Sequence, residues 1–180
     1  DSESKLQGRN EKLHETPEDK ARKFFTIGKT QLEKNMPDAA ISSFRRALEL
    51  MPDDINYVIS LGDALREKGD IQGACECYEK AVKISPERQD IALTLSNMFM
   101  VIGRKALVDR LYDNSFDYFT RSLMIKKNAG AYFGQADVYI VRGDTENCIT
   151  SLLNGLACDN SDFERLVDLG LLHHAASQGR

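Results

Sequence analysis

Residues 1–15 hold only Leu6 and Leu13 as large apolar groups and show no apolar period, so the chain up to Thr16 is read as a polar, flexible or partner-ordered segment. From Pro17 on, apolar residues return at helical spacing and predict helices near 17–35, 37–50, 54–68, 71–84, 87–102, 105–126, 130–142, 145–158 and 162–177, with no strand. Start signals agree with this reading. Thr16-Pro17-Glu18-Asp19 offers a hydroxyl N-cap, a proline with no amide hydrogen to satisfy, and a carboxylate in the first turn. Asp70, Asp144 and Ser161 with Glu164 are the expected caps of later helices.

The apolar pattern repeats. Gly28, Ala40, Phe44, Ala47 and Pro52 return 34 residues later as Gly62, Ala74, Tyr78, Ala81 and Pro86. At the same offset Leu95 answers Leu61 and Gly103 answers Gly69, and the next unit then slips: Ser115, Phe119 and Ser122 arrive seven residues late. Seven residues make about two helical turns, so such an insertion lengthens one helix without turning its apolar face away. A fourth unit carries Tyr132, Ala136, Tyr139, Gly143, Cys148, Leu152 and Gly155. A fifth opens at Phe163 with Leu166, Leu169 and Gly170 in phase, then ends after one helix that reads as a cap. Small residues at Gly28, Ala40 and Ala47 let paired helices approach, Phe24 and Phe44 fill the space between them, and Pro52 and Pro86 stop each second helix.

These residues at this period resemble the tetratricopeptide repeat (TPR) family, from roughly Ala21 to the C-terminus. The resemblance implies an all-α fold, an α-solenoid of antiparallel helix pairs wound as a right-handed superhelix. Its repeats fall near 21–54, 55–88, 89–128 with the seven-residue insertion, and 129–162, followed by a terminal helix at 163–177. Gln31 stands where the family usually has an aromatic, which implies a loosely packed first unit. In this family the first helix of each pair lines a concave groove, and the positions that face it are, in the first two units, Arg22, Phe25, Lys29, Leu32, Glu33, Asn56, Ile59, Asp63, Arg66 and Glu67. In the third and fourth they are Asp90, Leu93, Asn97, Met100, Val101, Gly130, Phe133, Asp137, Ile140 and Val141, and Val167 and Leu171 extend the same side. Three of the first ten are apolar against six of the second ten, so a partner's helix or extended peptide is expected to lodge its apolar anchors toward the C-terminal half. The alternatives are a structural subunit that uses its convex face and insertion, and a helical-repeat RNA binder that uses Arg104, Lys105, Arg110, Lys126 and Lys127. One branch of the family grips the C-terminal carboxylate of chaperones with converging cations and amides. The matching positions here are Phe25, Lys29, Ser60, Asp90 and Thr94, so no such tail binding is expected.

Charge and composition narrow the chemistry further. A net charge of -4 and a pI near 5.5 give no basic field for a phosphate backbone, so nucleic acid is not the expected partner. Cys75, Cys77, Cys148 and Cys158 are too few and too scattered to staple the chain, which points to free thiols in a reducing compartment. Cys75 and Cys77, two apart on a helix, point roughly 200° from one another and cannot share a metal. His173 and His174 are adjacent, about 100° apart, with His173 at a packing position, and His14 lies in the polar segment. No phosphate-binding loop, nucleophile elbow or C-x-x-C pair occurs, so no catalytic, metal or cofactor site is expected. No membrane span, signal peptide or N-glycosylation sequon is read. An intracellular, by default cytoplasmic, location is expected. The chain begins at Asp1, as a fragment or a processed protein would, which leaves an organellar location open.

Overall fold

The computed structural model describes residues 15–178. Residues 1–14 of the expected flexible segment, His14 among them, lie outside the described residues, as do 179–180 and the side chains of Phe163, His173 and residues 176–178. Among the described residues the chain is all-α: α1 (Pro17–Glu33), α2 (Pro37–Leu50), α3 (Ile55–Lys68), α4 (Ile71–Ile84), α5 (Gln89–Val108), α6 (Tyr112–Ile125), α7 (Ala129–Arg142), α8 (Thr145–Cys158) and α9 (Phe163–Gln178). They form two compact units that divide between Ile84 and Ser85. The first holds the pairs α1–α2 and α3–α4; the second holds α5–α6 and α7–α8, with α9 laid on α8.

All four pairs turn in the same way. A residue with positive φ follows the first helix in each, namely Asn35 (57°), Gly69 (89°), Arg110 (61°) and Gly143 (71°). The residue after it donates its amide back to Gln31, Leu65, Ala106 or Tyr139, which satisfies carbonyls that the helix end leaves open. Its own carbonyl then accepts the amide of the small residue that opens the second helix: Ala40, Ala74, Ser115 or Cys148. Glycine reaches this left-handed conformation freely and asparagine tolerates it, whereas Arg110 adopts it at a cost of about 1 kcal/mol.

Seven residues before each turn a small residue seats a side chain from the second helix. A methyl built on Gly28 would stand 2.6 Å from the Phe44 ring, and one on Gly103 2.8 Å from the Phe119 ring. Gly62 faces Tyr78 less tightly, an added methyl standing 3.4 Å from the ring and 3.1 Å from the Cys77 Cβ, and Ala136 packs with Leu152 in the fourth pair. Each seat and its occupant are sixteen residues apart. Phe44, Phe119 and Leu152 are fully buried, each contributing about 1.5–3 kcal/mol from burial.

This geometry moves the third repeat. Gly103 is the counterpart of Gly62, in mid-helix, and not of the turn residue Gly69; Arg110 takes the turn. The expected helix near 105–126 is therefore corrected. Its first residues belong to α5, which runs 20 residues, whereas α6 keeps the 14 residues of α2, α4 and α8. The seven extra residues thus precede Gly103 as two added turns of α5. Ile91 and Leu95 on these turns are buried, so the added length keeps one apolar face.

Other expectations shift by small amounts. Thr16 and Asp19 form the reciprocal cap, with the Asp19 amide donating to the Thr16 hydroxyl at 3.1 Å. Asp70 and Asp144 cap α4 and α8. Asp162, not Ser161, caps α9: the Arg165 amide donates to its carboxylate, and Ser161 donates to Asp159 instead. Gln31 does not leave the first pair loose, because the buried Ser43 hydroxyl donates to its side-chain oxygen at 2.7 Å. In the third pair serines replace the alanines, and each hydroxyl is satisfied: Ser115 donates to the Gly103 carbonyl at 2.8 Å, and Ser122 meets Ser96 at 2.8 Å. By length and composition α5 alone among the described helices could cross a membrane, yet seven of its residues are buried against neighbours, as in a core helix.

The seat and the strained turn make opposite predictions. Gly103→Ala should destabilise the second unit by about 1–3 kcal/mol, because the Phe119 ring is also pressed against Gly134 and cannot retreat. Arg110→Gly should stabilise it by about 1 kcal/mol through relief of the left-handed backbone. Urea midpoints of the two variants measure both.

Candidate protein-interaction surfaces

In the first unit, α1 and α3 present Phe25, Lys29, Ile59, Asp63 and Arg66. Phe25 is half-buried, its ring centroid 4.7 Å from Tyr57 and 5.8 Å from Phe44, so it acts as a wedge between helices more than as an open anchor. Lys29 is exposed and lies over the Phe25 ring. Asp63 accepts from the Tyr78 hydroxyl at 2.6 Å and from Arg66 at 3.1 Å, which leaves it engaged from two sides. Burial, and then the bond to Asp63, push the Tyr78 phenol well above its ordinary range, so it stays a donor at any physiological pH. Lys29, Leu32, Ser60 and Asp63 line a cleft of about 320 Å³ that Glu33 and Glu67 flank. Ile59 is half-buried beside it.

In the second unit the two added turns change which residues share the face. Asn97 and Met100 hold the positions that the 34-residue count gave to Asp90 and Leu93, and Arg104, Leu107 and Val108 complete the set. Leu93 and Asn97 remain exposed on the same stripe, two turns and one turn before Met100 or Val101. Asp90 is tied to Arg88 by bonds of 2.9 and 2.7 Å, which hold its carboxyl at about 2. On α7, Gly130 lies so close under α5 that an added methyl would stand 3.1 Å from the Met100 sulfur and 3.2 Å from the Arg104 guanidinium. Arg104, Leu107, Gly134, Asp137 and Arg165 line a cleft of about 200 Å³ between α5, α7 and α9. Arg104 is exposed and pairs with no described residue.

Phe133, expected on the open face, is instead buried in the core with Ala136, Cys148 and Leu152, its ring against Gly155. Asp137 is closed off as well: Arg165 of α9 grips both its oxygens, at 2.6 and 2.9 Å, and lies over the Phe133 ring. Those bonds from Asp137 raise the Arg165 pKa, and both side chains are largely buried. Leu93, Val101 and Val108 on α5, Ile140 and Val141 on α7, and Val167 and Leu171 on α9 are apolar groups that stay exposed. Sequence reasoning named Arg104 only for the RNA-binding alternative and missed Leu107 and Val108, because it put the insertion after Gly103. It missed Arg165 as well, although this is the only lysine or arginine on α9.

The cysteines form no disulfide. Cys77 packs beside Gly62, and burial, reinforced by Glu76, pushes its thiol up to about 11. His174 is exposed on α9. Among the described residues no group of histidine, cysteine, aspartate or glutamate has metal-binding geometry.

Residues 21–54 and 56–88 each match the family described as Tetratricopeptide repeat. The first unit carries two tetratricopeptide repeats. Over 114 residues it is 28% identical to BBSome complex member BBS4 of Bos taurus, a match that covers 63% of this chain and 20% of that protein. Over 75 residues it is 31% identical to Protein O-mannosyl-transferase TMTC1 of Homo sapiens, covering 42% of this chain and 8% of that one. The chain thus spans a fifth or less of these curated relatives. The solved structure of MamA protein superposes with a TM-score of 0.54 at 18% identity, covering 88% of this chain and 83% of that one. MamA 41-end from Desulfovibrio magneticus RS-1 gives 0.51 at 18% identity, covering 88% and 86%. These likenesses show the helical-repeat fold. With the family match they support a protein-interaction scaffold in general terms.

Two predictions follow from the second-unit clamp and the first-unit thiol. Arg165→Met strands Asp137 and should cost about 1–3 kcal/mol, with faster amide exchange in α9 before any other helix of its unit. Cys77 is held neutral in the fold, whereas its unfolded thiol ionises near 9.0. Its contribution is therefore complete below that pH and is lost as pH rises toward about 11. Urea midpoints should fall across this window, and Cys77→Ala should flatten the fall.

Proposed function

We propose that this TPR chain is a non-enzymatic adaptor whose second unit holds a helix or extended peptide of a partner protein against α5, α7 and α9. The observation that carries this reading is the set of exposed apolar side chains on the first helices: Val108 is 81% exposed, Val141 53%, Val167 61% and Leu171 65%. Arg104, one turn before Val108 and paired with no described residue, favours an acidic residue next to the ligand's apolar anchors. The first unit offers an engaged and mixed-charge face at the same positions, which suits orientation more than anchorage. Chaperone-tail binding stays outside the proposal. The added turns replace Asp90 and Thr94 by Asn97 and Val101, which still supply no cation.

A second reading has one observation behind it. The relative from Bos taurus is by its name a member of a multiprotein complex. On that reading the chain is a subunit that uses its second helices and the extended α5. A photo-crosslinking residue at Val108 or Val141, compared with one at Thr150 on the exposed side of α8, separates the two. Partner crosslinks are expected from Val108 and Val141, and Val108→Asp with Val141→Asp should remove them while leaving the helical circular-dichroism signal intact. Crosslinks from Thr150 alone would favour the subunit reading and sink the first.

A further inference from the structure

In each unit a cation follows the seat residue of the first pair, Lys29 or Arg104, and an aspartate follows the seat residue of the second pair, Asp63 or Asp137. The two members line one cleft: Lys29 and Asp63 in the first unit, Arg104 and Asp137 in the second. Opposite charges on the wall of one cleft attract, and a pair between them is the simple expectation. Neither unit makes it. Asp63 accepts from the Tyr78 hydroxyl at 2.6 Å and from Arg66 at 3.1 Å, and Asp137 accepts from both terminal nitrogens of Arg165 at 2.6 and 2.9 Å. Lys29 and Arg104 stay exposed, with no ion pair to a described residue.

The second cleft shows what this diversion does. The charged groups on its wall are Arg104, Asp137, Asp162 and Arg165. Asp162 is held at the start of α9, where it accepts the Arg165 amide at 3.2 Å. Arg165 meets both Asp137 oxygens with its planar guanidinium, the geometry that binds a carboxylate most firmly, and reaches Asp168 at 3.4 Å. Arg104 is then the other cation among the described residues of the cleft, and Asp137 is the carboxylate it would meet if Arg165 let go. We propose that Arg165 is a positioning residue for ligand capture: by holding Asp137 it keeps the Arg104 guanidinium unneutralised and open to a carboxylate of the partner peptide. This role rests on the reading of Arg104 as the contact for an acidic residue of that peptide. A cation already paired within the chain would have to give up one exposed carboxylate to take another, an exchange that selects little.

The test uses the 180-residue chain and, as probe, phenylglyoxal, a dicarbonyl that adds to accessible guanidinium groups. Peptide mass spectrometry follows the adduct at Arg104 against that at Arg45, an exposed arginine of the first unit. Arg165→Met should slow the Arg104 adduct about two- to fivefold, the population shift that an exposed ion pair sustains, and leave Arg45 unchanged. Asp137→Asn added to Arg165→Met should restore the original rate. An unchanged or faster rate at Arg104 in Arg165→Met overturns the proposal, because Asp137 then does not turn to Arg104. A slowed rate that Asp137→Asn fails to restore overturns it too, since it traces the change to a displaced α9 and not to charge. No partner enters this measurement, so an absence of crosslinks from Val108 and Val141 would sink the adaptor reading and leave these rates as they are.

Discussion

The fold depends on one contact made again in each pair: a side chain from the second helix pressed onto a small residue of the first. The contact is demanding on one side and permissive on the other. A methyl on Gly28 or Gly103 would overlap the opposing ring, so these positions admit almost nothing but glycine. The occupant varies from phenylalanine to tyrosine to leucine, because a hollow between helices accepts any apolar body of suitable size. Where leucine is the occupant the seat is alanine, and the smaller ligand leaves room for the larger floor.

The same contact decides the register of α5. Two added turns cost little in helix geometry, since 700° of rotation for seven residues returns the apolar face to within about 20° of its start. They do change which residues stand beside α7. Gly130 permits Met100 and Arg104 to cross at close range, and the shift delivers to that face Arg104, which pairs with no described residue. An insertion that is nearly silent for folding thus redraws the surface available to a partner.

Much of the fold was legible in the sequence because seats, occupants and turns are marked by residue type at fixed spacing. Asp70 and Asp144 could be assigned as caps from the glycines before them. What was not legible is instructive. Gly103 matched Gly69 by offset and Gly62 by environment, and a single glycine carries no label for which of its two roles it serves, positive φ or close approach. The distance to Phe119 held the answer, sixteen residues as in the first two pairs. The burial of Phe133 and the Asp137–Arg165 clamp were illegible for another reason. The first depends on how closely Gly155 of α8 lets the ring approach and the second on where α9 docks, and neither is marked by residue type at the repeat spacing.

Fold and function therefore draw on different residues. Seat positions are buried and alike from pair to pair, so they identify the family and are silent about the partner. Face positions are half-buried or exposed and unlike: Lys29, Asp63, Arg104 and Asp137 occupy the same place in four successive repeats. Asp63 and Asp137 are each occupied within the chain, by Tyr78 with Arg66 and by Arg165. Lys29 rests on Phe25, while Arg104 is exposed, pairs with no described residue and lines a cleft with Leu107, Asp137, Asp162 and Arg165. A cation beside exposed valines loses little hydration while free and gains a full charge-assisted bond when a carboxylate arrives with an apolar neighbour. On the proposed reading, specificity would rest on that pairing of one charge with nearby hydrocarbon, neither of which would select a ligand alone.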